Sequence, residues 1–138
     1  MTDHPFVPVL RTQADVERMW RRLMTPLGFT RCSLWMVVVQ DDRPVPRVLE
    51  ISLTELPPED GDAEALAGLL THLAGSRTRF AFLRTRPGSG RPDASDRAWA
   101  RELYAAGQQA SARLEVVHLA HDDDVFPLPL DDVLAEPA

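Results

Sequence analysis

The run from Ser33 to Gln40, Ser-Leu-Trp-Met-Val-Val-Val-Gln, constrains the fold more than any other stretch of this chain. It is β-branched, short enough for a strand and apolar on both faces, which places it in the middle of a sheet. A turn is expected at Asp41-Asp42-Arg43-Pro44, followed by a second strand from about Arg47 to Leu53. There Val48, Glu50 and Ser52 alternate with Leu49, Ile51 and Leu53. One face is therefore polar and carries Glu50, and the strand pairs antiparallel to the first.

Helical spacing brackets this hairpin. Thr12 with Asp15 three residues on forms a capping-box-like start. Val16, Met19, Trp20 and Leu23 follow on one face, Arg18, Arg21 and Arg22 fall mostly on the other, and Pro26 with Gly28 ends the helix. The segment 57–61 reads as a loop, after which Asp62 is expected to cap a helix carrying Leu66, Leu69, Leu70 and Leu73. His72 on that helix has no potential ligand three or four residues away and reads as a surface histidine. A strand over Arg79–Leu83, a loop from Arg84 to Pro92, a helix from about Asp96 to Ala110 and a strand from Arg113 to Leu119 then make a β-loop-α-β unit of the parallel crossover type. Residues 1–11 and 127–138 are expected to be irregular tails of a single domain spanning 1–138.

Composition excludes more than it specifies. With 138 residues, 44% of them hydrophobic and 26% charged, one core is expected. No apolar run suits a bilayer-spanning helix, and the first eight residues lack the basic start and apolar centre of a signal segment, so a cytoplasmic protein without a membrane role is expected. All 15 basic residues are arginine, and Asn is absent, the pattern of a GC-rich genome, so arginine abundance says little about partners. The net charge of −6 argues against sequence-independent nucleic-acid binding. Cys32 is the one cysteine and reads as a packed side chain.

The loop after the third strand is the informative part. Arg84-Thr85-Arg86-Pro87, Gly88-Ser89-Gly90 and Pro92-Asp93-Ala94-Ser95 run into the helix start Asp96-Arg97-Ala98 with Leu103 beyond, and Arg113-Leu114 with His118 close the unit. Over about Asp15 to Leu119, this order of elements and motifs resembles the RadC-type branch of the JAB/MPN family. The chain is also similar to short actinobacterial proteins that share a Ser-Leu-Trp strand and an Arg-Pro-Gly loop. The first resemblance implies a three-layer α/β domain, cytidine-deaminase-like, with a mixed sheet flanked by three helices, and a homodimer.

Active members of that family hold zinc with two loop histidines and an aspartate, while a glutamate serves as general base. At the histidine positions this chain has Arg84 and Arg86. A guanidinium offers no lone pair and carries a positive charge, so the resemblance implies a cancelled metal site and no resident cofactor. Alignment from Ser95 puts Ala98 where the aspartate ligand belongs, with Asp96 two residues away, and Glu50 matches the base only approximately.

Three functions are compatible with these residues. One is a non-catalytic module that binds a protein partner or itself. Another is a small-anion or nucleotide site formed by Arg84, Arg86 and Arg91 where the Gly-rich loop meets the helix start at Ser95. The third is a hydrolase relocated to Glu50, Asp96 and His118. Against the second stands a structural reading, in which Pro87, Gly88 and Gly90 build a turn, Asp93 or Ser95 caps the helix, and Asp93 with Asp96 satisfies the arginines internally. A metal site at His118 and His121 is opposed by strand alternation, which separates residues three apart.

Overall fold

The computed structural model describes residues 8–53 and 58–134. The elements run α1 (Gln13–Leu23), β1 (Cys32–Gln40), β2 (Arg43–Leu53), α2 (Asp62–Leu73), β3 (Thr78–Thr85), α3 (Ala94–Gln109), β4 (Arg113–Leu114), β5 (Val117–Ala120), β6 (Val125–Leu128) and α4 (Leu130–Leu134). The strands form one mixed sheet in the order β2-β1-β3-β5-β6, with β4 also paired to β3. As its two apolar faces require, β1 is interior: it pairs antiparallel with β2 on one side and β3 on the other. β3 runs parallel to β4 and β5, so the chain from β3 through α3 makes the expected parallel crossover.

Each face of the sheet is covered by helix, and strand alternation assigns residues to two cores. Leu34, Met36, Phe80, Phe82 and Leu119 pack with Leu66, Leu70, Leu103 and Val133 from α2, α3 and α4. On the opposite face Val37, Val39, Ala81, Leu83 and Ala120 pack with Val16, Met19 and Trp20 of α1. Trp20 and Trp99 are buried, whereas Trp35 is partly exposed and donates from Nε1 to Thr85 Oγ1 at 3.0 Å. In α3, Gly107 allows a close approach, since a side chain there would run into Leu114.

Several boundaries differ from expectation for local reasons. The β1–β2 turn is only Asp41-Asp42, both with positive φ (52° and 64°), the geometry of a tight hairpin that matches strand twist. Arg43 and Pro44 therefore already belong to β2, an edge strand on which a missing N–H is tolerated. Gly61, not Asp62, is the N-cap of α2; Asp62 is the first helical residue and accepts from Glu59 N at 2.7 Å. Pro57 of the expected loop lies outside the described residues. The strand expected over Arg113–Leu119 is interrupted at Glu115–Val116, where the Val116 carbonyl accepts from His118 Nδ1 at 2.9 Å.

The tail expected to be irregular from residue 127 is instead structured as far as Leu134. β6 pairs antiparallel with β5, and buried Leu128 and Val133 seat it and α4 against the sheet. Pro127 hid this strand from a sequence reading, because proline is kept only on edges such as this one. At the other end, Leu10 has no regular structure yet is fully buried; its N–H donates to Asp42 O at 2.6 Å and its carbonyl accepts from Arg79 Nη2 at 2.6 Å. A fourth helix joins the three expected. None of the described helices is long and apolar enough to cross a membrane.

Candidate functional site

The C-terminal end of β3 meets the start of α3, and there the structure brings Arg84, Arg86 and Asp96 together. Arg84 belongs to the strand and not to the loop. Its partners in register are Leu34 and Leu119, so it points into the α2/α3 side of the sheet, at 2% exposure. A charge can be held at such a position only if it is matched. Asp96, fully buried, matches it: Oδ1 accepts from Arg84 Nε at 2.8 Å and from Arg86 Nε at 2.9 Å, and Oδ2 accepts from Arg86 Nε at 2.9 Å. Arg86 spends its other nitrogens on the carbonyls of Pro87 and Arg91 at 3.1 and 3.4 Å.

The same aspartate starts the helix. Asp93 is the N-cap of α3, its side chain accepting from Asp96 N at 2.8 Å while Asp96 Oδ2 accepts from Asp93 N at 2.9 Å. This capping box settles the choice between Asp93 and Ser95. Asp93 sits on the rim 3.8 Å from Arg86 Nε. Burial works against its ionised form, but the bond from Asp96 N and the charges of Arg86 and Arg84 outweigh it and hold the carboxyl below its ordinary value.

The Gly-rich loop is tied down by its own contacts. Asp122 Oδ2 accepts from Gly88 N and its Oδ1 from Phe29 N, each at 2.9 Å, and these two bonds lower its pKa, that from Phe29 most. Asp122 N in turn donates to Gly88 O, and Arg86 N donates to Ala120 O. His121 Nδ1 accepts backbone N–H bonds from Asp123 and Asp124, which leaves Nε2 to donate to Gly90 O at 2.8 Å. Arg91 is exposed and contributes only its carbonyl to this network. A sequence reading had no access to the way Asp122 and His121 hold the loop, because the partners concerned, Phe29, Gly88 and Gly90, are 31 to 93 residues away.

A cleft of about 480 Å³ opens beside this cluster, lined by Cys32, Arg84, Arg86, Pro87, Ala94 and Ser95, with Asp93 at its edge. Arg84 Nη1 is buried and has no hydrogen-bond partner among the described residues. Cys32, 6% exposed, is part of the wall.

Glu50 and His118 are not part of this arrangement. Glu50 is in register with Trp35, Trp35 with Leu83, and Leu83 with His118, so this row shares one face of the sheet, the α1 face. Arg84 and Asp96 lie on the other. The relocated site of Glu50, Asp96 and His118 therefore does not assemble. Glu50 is occupied with Ser33 Oγ at 2.9 Å and Arg31 at 3.5 Å. No group of three His, Cys, Asp or Glu residues among the described residues is arranged to hold a metal ion, and His118 and His121 serve different neighbours.

His118 is fully buried; its Nε2 has no hydrogen-bond partner among the described residues and lies 4.0 Å from Glu17 Oε1 on α1. Burial lowers its pKa from the ordinary 6.5, against the opposing pull of the Val116 carbonyl and Glu17. The unfolded chain then binds this proton first, so stability is full above about pH 6.5 and declines as the pH falls toward the lower, folded value. Denaturant midpoints followed from pH 7.5 to 5.5, roughly, should fall for the wild type and stay flatter for His118→Gln. Parallel slopes would rule His118 out as the source.

A scan against models of known protein families finds no match to the sequence, and a search of curated proteins finds none either.

Proposed function

We propose that the chain is a non-catalytic JAB/MPN-like interaction module of the cytoplasm, in which an Arg84–Asp96–Arg86 ion-pair cluster stands where active members hold zinc. The observation that carries the reading is the buried aspartate clamped by two guanidiniums at the end of β3. Those residues do not fit a zinc ion: neither arginine can donate a lone pair, and the carboxylate is already engaged by three donors. The mixed sheet, the interior β1 and the β3-α3-β5 crossover support the family fold.

With the chemistry cancelled, surface becomes the functional asset. β2 lies at the end of the sheet and exposes Val45, Val48 and Leu49 at 39%, 40% and 38%. An edge strand with bare apolar side chains is a pairing surface, and two copies can join there about a two-fold axis. Light scattering of the purified chain should give twice its 15.4 kDa mass, and Leu49→Glu should return the monomer. A wild type that stays monomeric at high concentration removes the self-association. Stoichiometric zinc in protein purified without chelators would overturn the non-catalytic reading altogether.

A further inference from the structure

We propose that a second cavity, between β2, α2 and α3, is a binding site for a small amphiphilic amine, a molecule with a protonated nitrogen at one end of an apolar body. The cavity holds about 430 Å³ and lies on the α2/α3 side of the sheet. Leu34 of β1 and Ile51 and Leu53 of β2 alternate onto that side, with Leu34 in register with Ile51. Leu66 and Leu69 of α2 and Trp99 of α3 bound it from the helix layer. Leu34 and Trp99 are almost wholly buried, whereas Ile51, Leu53 and Leu69 are half-buried, so the cavity has an apolar floor and an open mouth.

The charge at the mouth has one sign. Glu59 and Asp62 line it, and neither forms an ion pair among the described residues; Asp62 spends one oxygen on Glu59 N at 2.7 Å. The cleft beside Arg84 and Arg86 differs, because its arginines are matched by Asp93 and Asp96. The dipole of α2 accounts for a carboxylate at Asp62, the first helical residue. It does not account for Glu59, which precedes the N-cap Gly61 and whose side chain bonds to nothing among the described residues. Apolar walls draw in a hydrocarbon body, and two uncompensated carboxylates at its exit favour a cation there and repel an anion. The net charge of −6 acts in the same direction. Size selects a small molecule: the volume falls in the range of small-ligand sites and would hold only about one turn of a partner's helix. The inference is independent of the ion-pair cluster, the dimer and the family assignment.

The test is a titration of ¹⁵N-labelled protein with octylamine, octanol and octanoate, which share a body and differ in charge. Octylamine should shift the Ser52, Ala65 and Leu69 amides and the Trp99 indole saturably. Octanol should shift the same signals with roughly three- to tenfold weaker affinity, and octanoate should bind more weakly still. Added salt should narrow the gap between amine and alcohol, since the carboxylates stand at an open mouth. Glu59→Gln combined with Asp62→Asn keeps the hydrogen-bond acceptors and removes the charge, so octylamine should fall to the affinity of octanol while octanol is unchanged. Ala65 is exposed on α2 and lines the cavity, so Ala65→Phe should fill it and abolish binding of both with little change in melting temperature. Leu49→Glu should leave all affinities as they are, which separates this site from self-association. Equal affinity for amine and alcohol, tightest binding of octanoate, or unchanged binding by Ala65→Phe would each overturn the proposal. So would spermine binding as tightly as octylamine, because a cation without an apolar body would then suffice.

Discussion

Replacing Asp96 with alanine should cost about 3–5 kcal/mol, because it leaves two guanidiniums buried without their counter-charge. For a chain of this length that is a fall in melting temperature of roughly 10–17 °C, and a large part of an ordinary native stability of about 5–15 kcal/mol. Asp93→Ala, which removes the reciprocal half of the capping box but leaves the ion pairs, should cost only about 1 kcal/mol. The informative variant removes all three charges together. Arg84→Met, Asp96→Leu and Arg86→Met combined should recover most of the loss, since a well-packed apolar replacement of a buried ion triad is often neutral or better. Calorimetry on the three proteins separates the cases. A melting point for Asp96→Ala within about 2 °C of wild type would mean that solvent reaches the cluster and that it is not the buried element described.

Trp20→Ala should come next in size, at about 3–5 kcal/mol. Trp20 is the largest of the fully buried side chains and joins α1 to the sheet through Val37, Leu83 and Val125. Its Nε1 is buried without a hydrogen-bond partner among the described residues. Trp20→Phe therefore loses ring area but also removes an unsatisfied donor worth about 1–3 kcal/mol, so it should cost far less than alanine. Guanidinium unfolding with an unchanged slope gives both numbers. If phenylalanine costs as much as alanine, the indole N–H has a partner and the packing account of α1 fails.

How much of this was readable beforehand depends on the range of the interactions involved. The Thr12 and Asp15 capping box was legible because its members are three residues apart, and β1 was legible because two apolar faces admit few placements. The antiparallel hairpin and the β3-α3-β5 crossover followed from spacing and loop length. β6 and α4 were not legible. Their stability comes from pairing with β5 and from burying Leu128 and Val133, neither of which leaves a periodic mark in a proline-bearing segment.

The site divides in the same way. That Asp93 and Asp96 could satisfy Arg84 and Arg86 was readable from proximity in sequence, but not that Arg84 would be strand and almost wholly buried. Placing Glu50 and His118 with Asp96 failed on parity: a residue's position along a strand sets its face, and the register that fixes parity across strands is a tertiary property. Asp122 and His121, which staple the loop, sit in an acidic stretch whose plain reading is solvated surface.

The doubled duty of Asp96 limits which substitutions the cluster can absorb. Because one carboxylate both neutralises two arginines and closes the first turn of α3, exchanging Arg84 and Arg86 for histidine would not release Asp96 for other work. Such a double variant would still hold its aspartate turned toward Asp93, and would have lost the cations that made that burial tolerable. Changing one member alone strands a buried charge, so the three residues can be exchanged only as a unit.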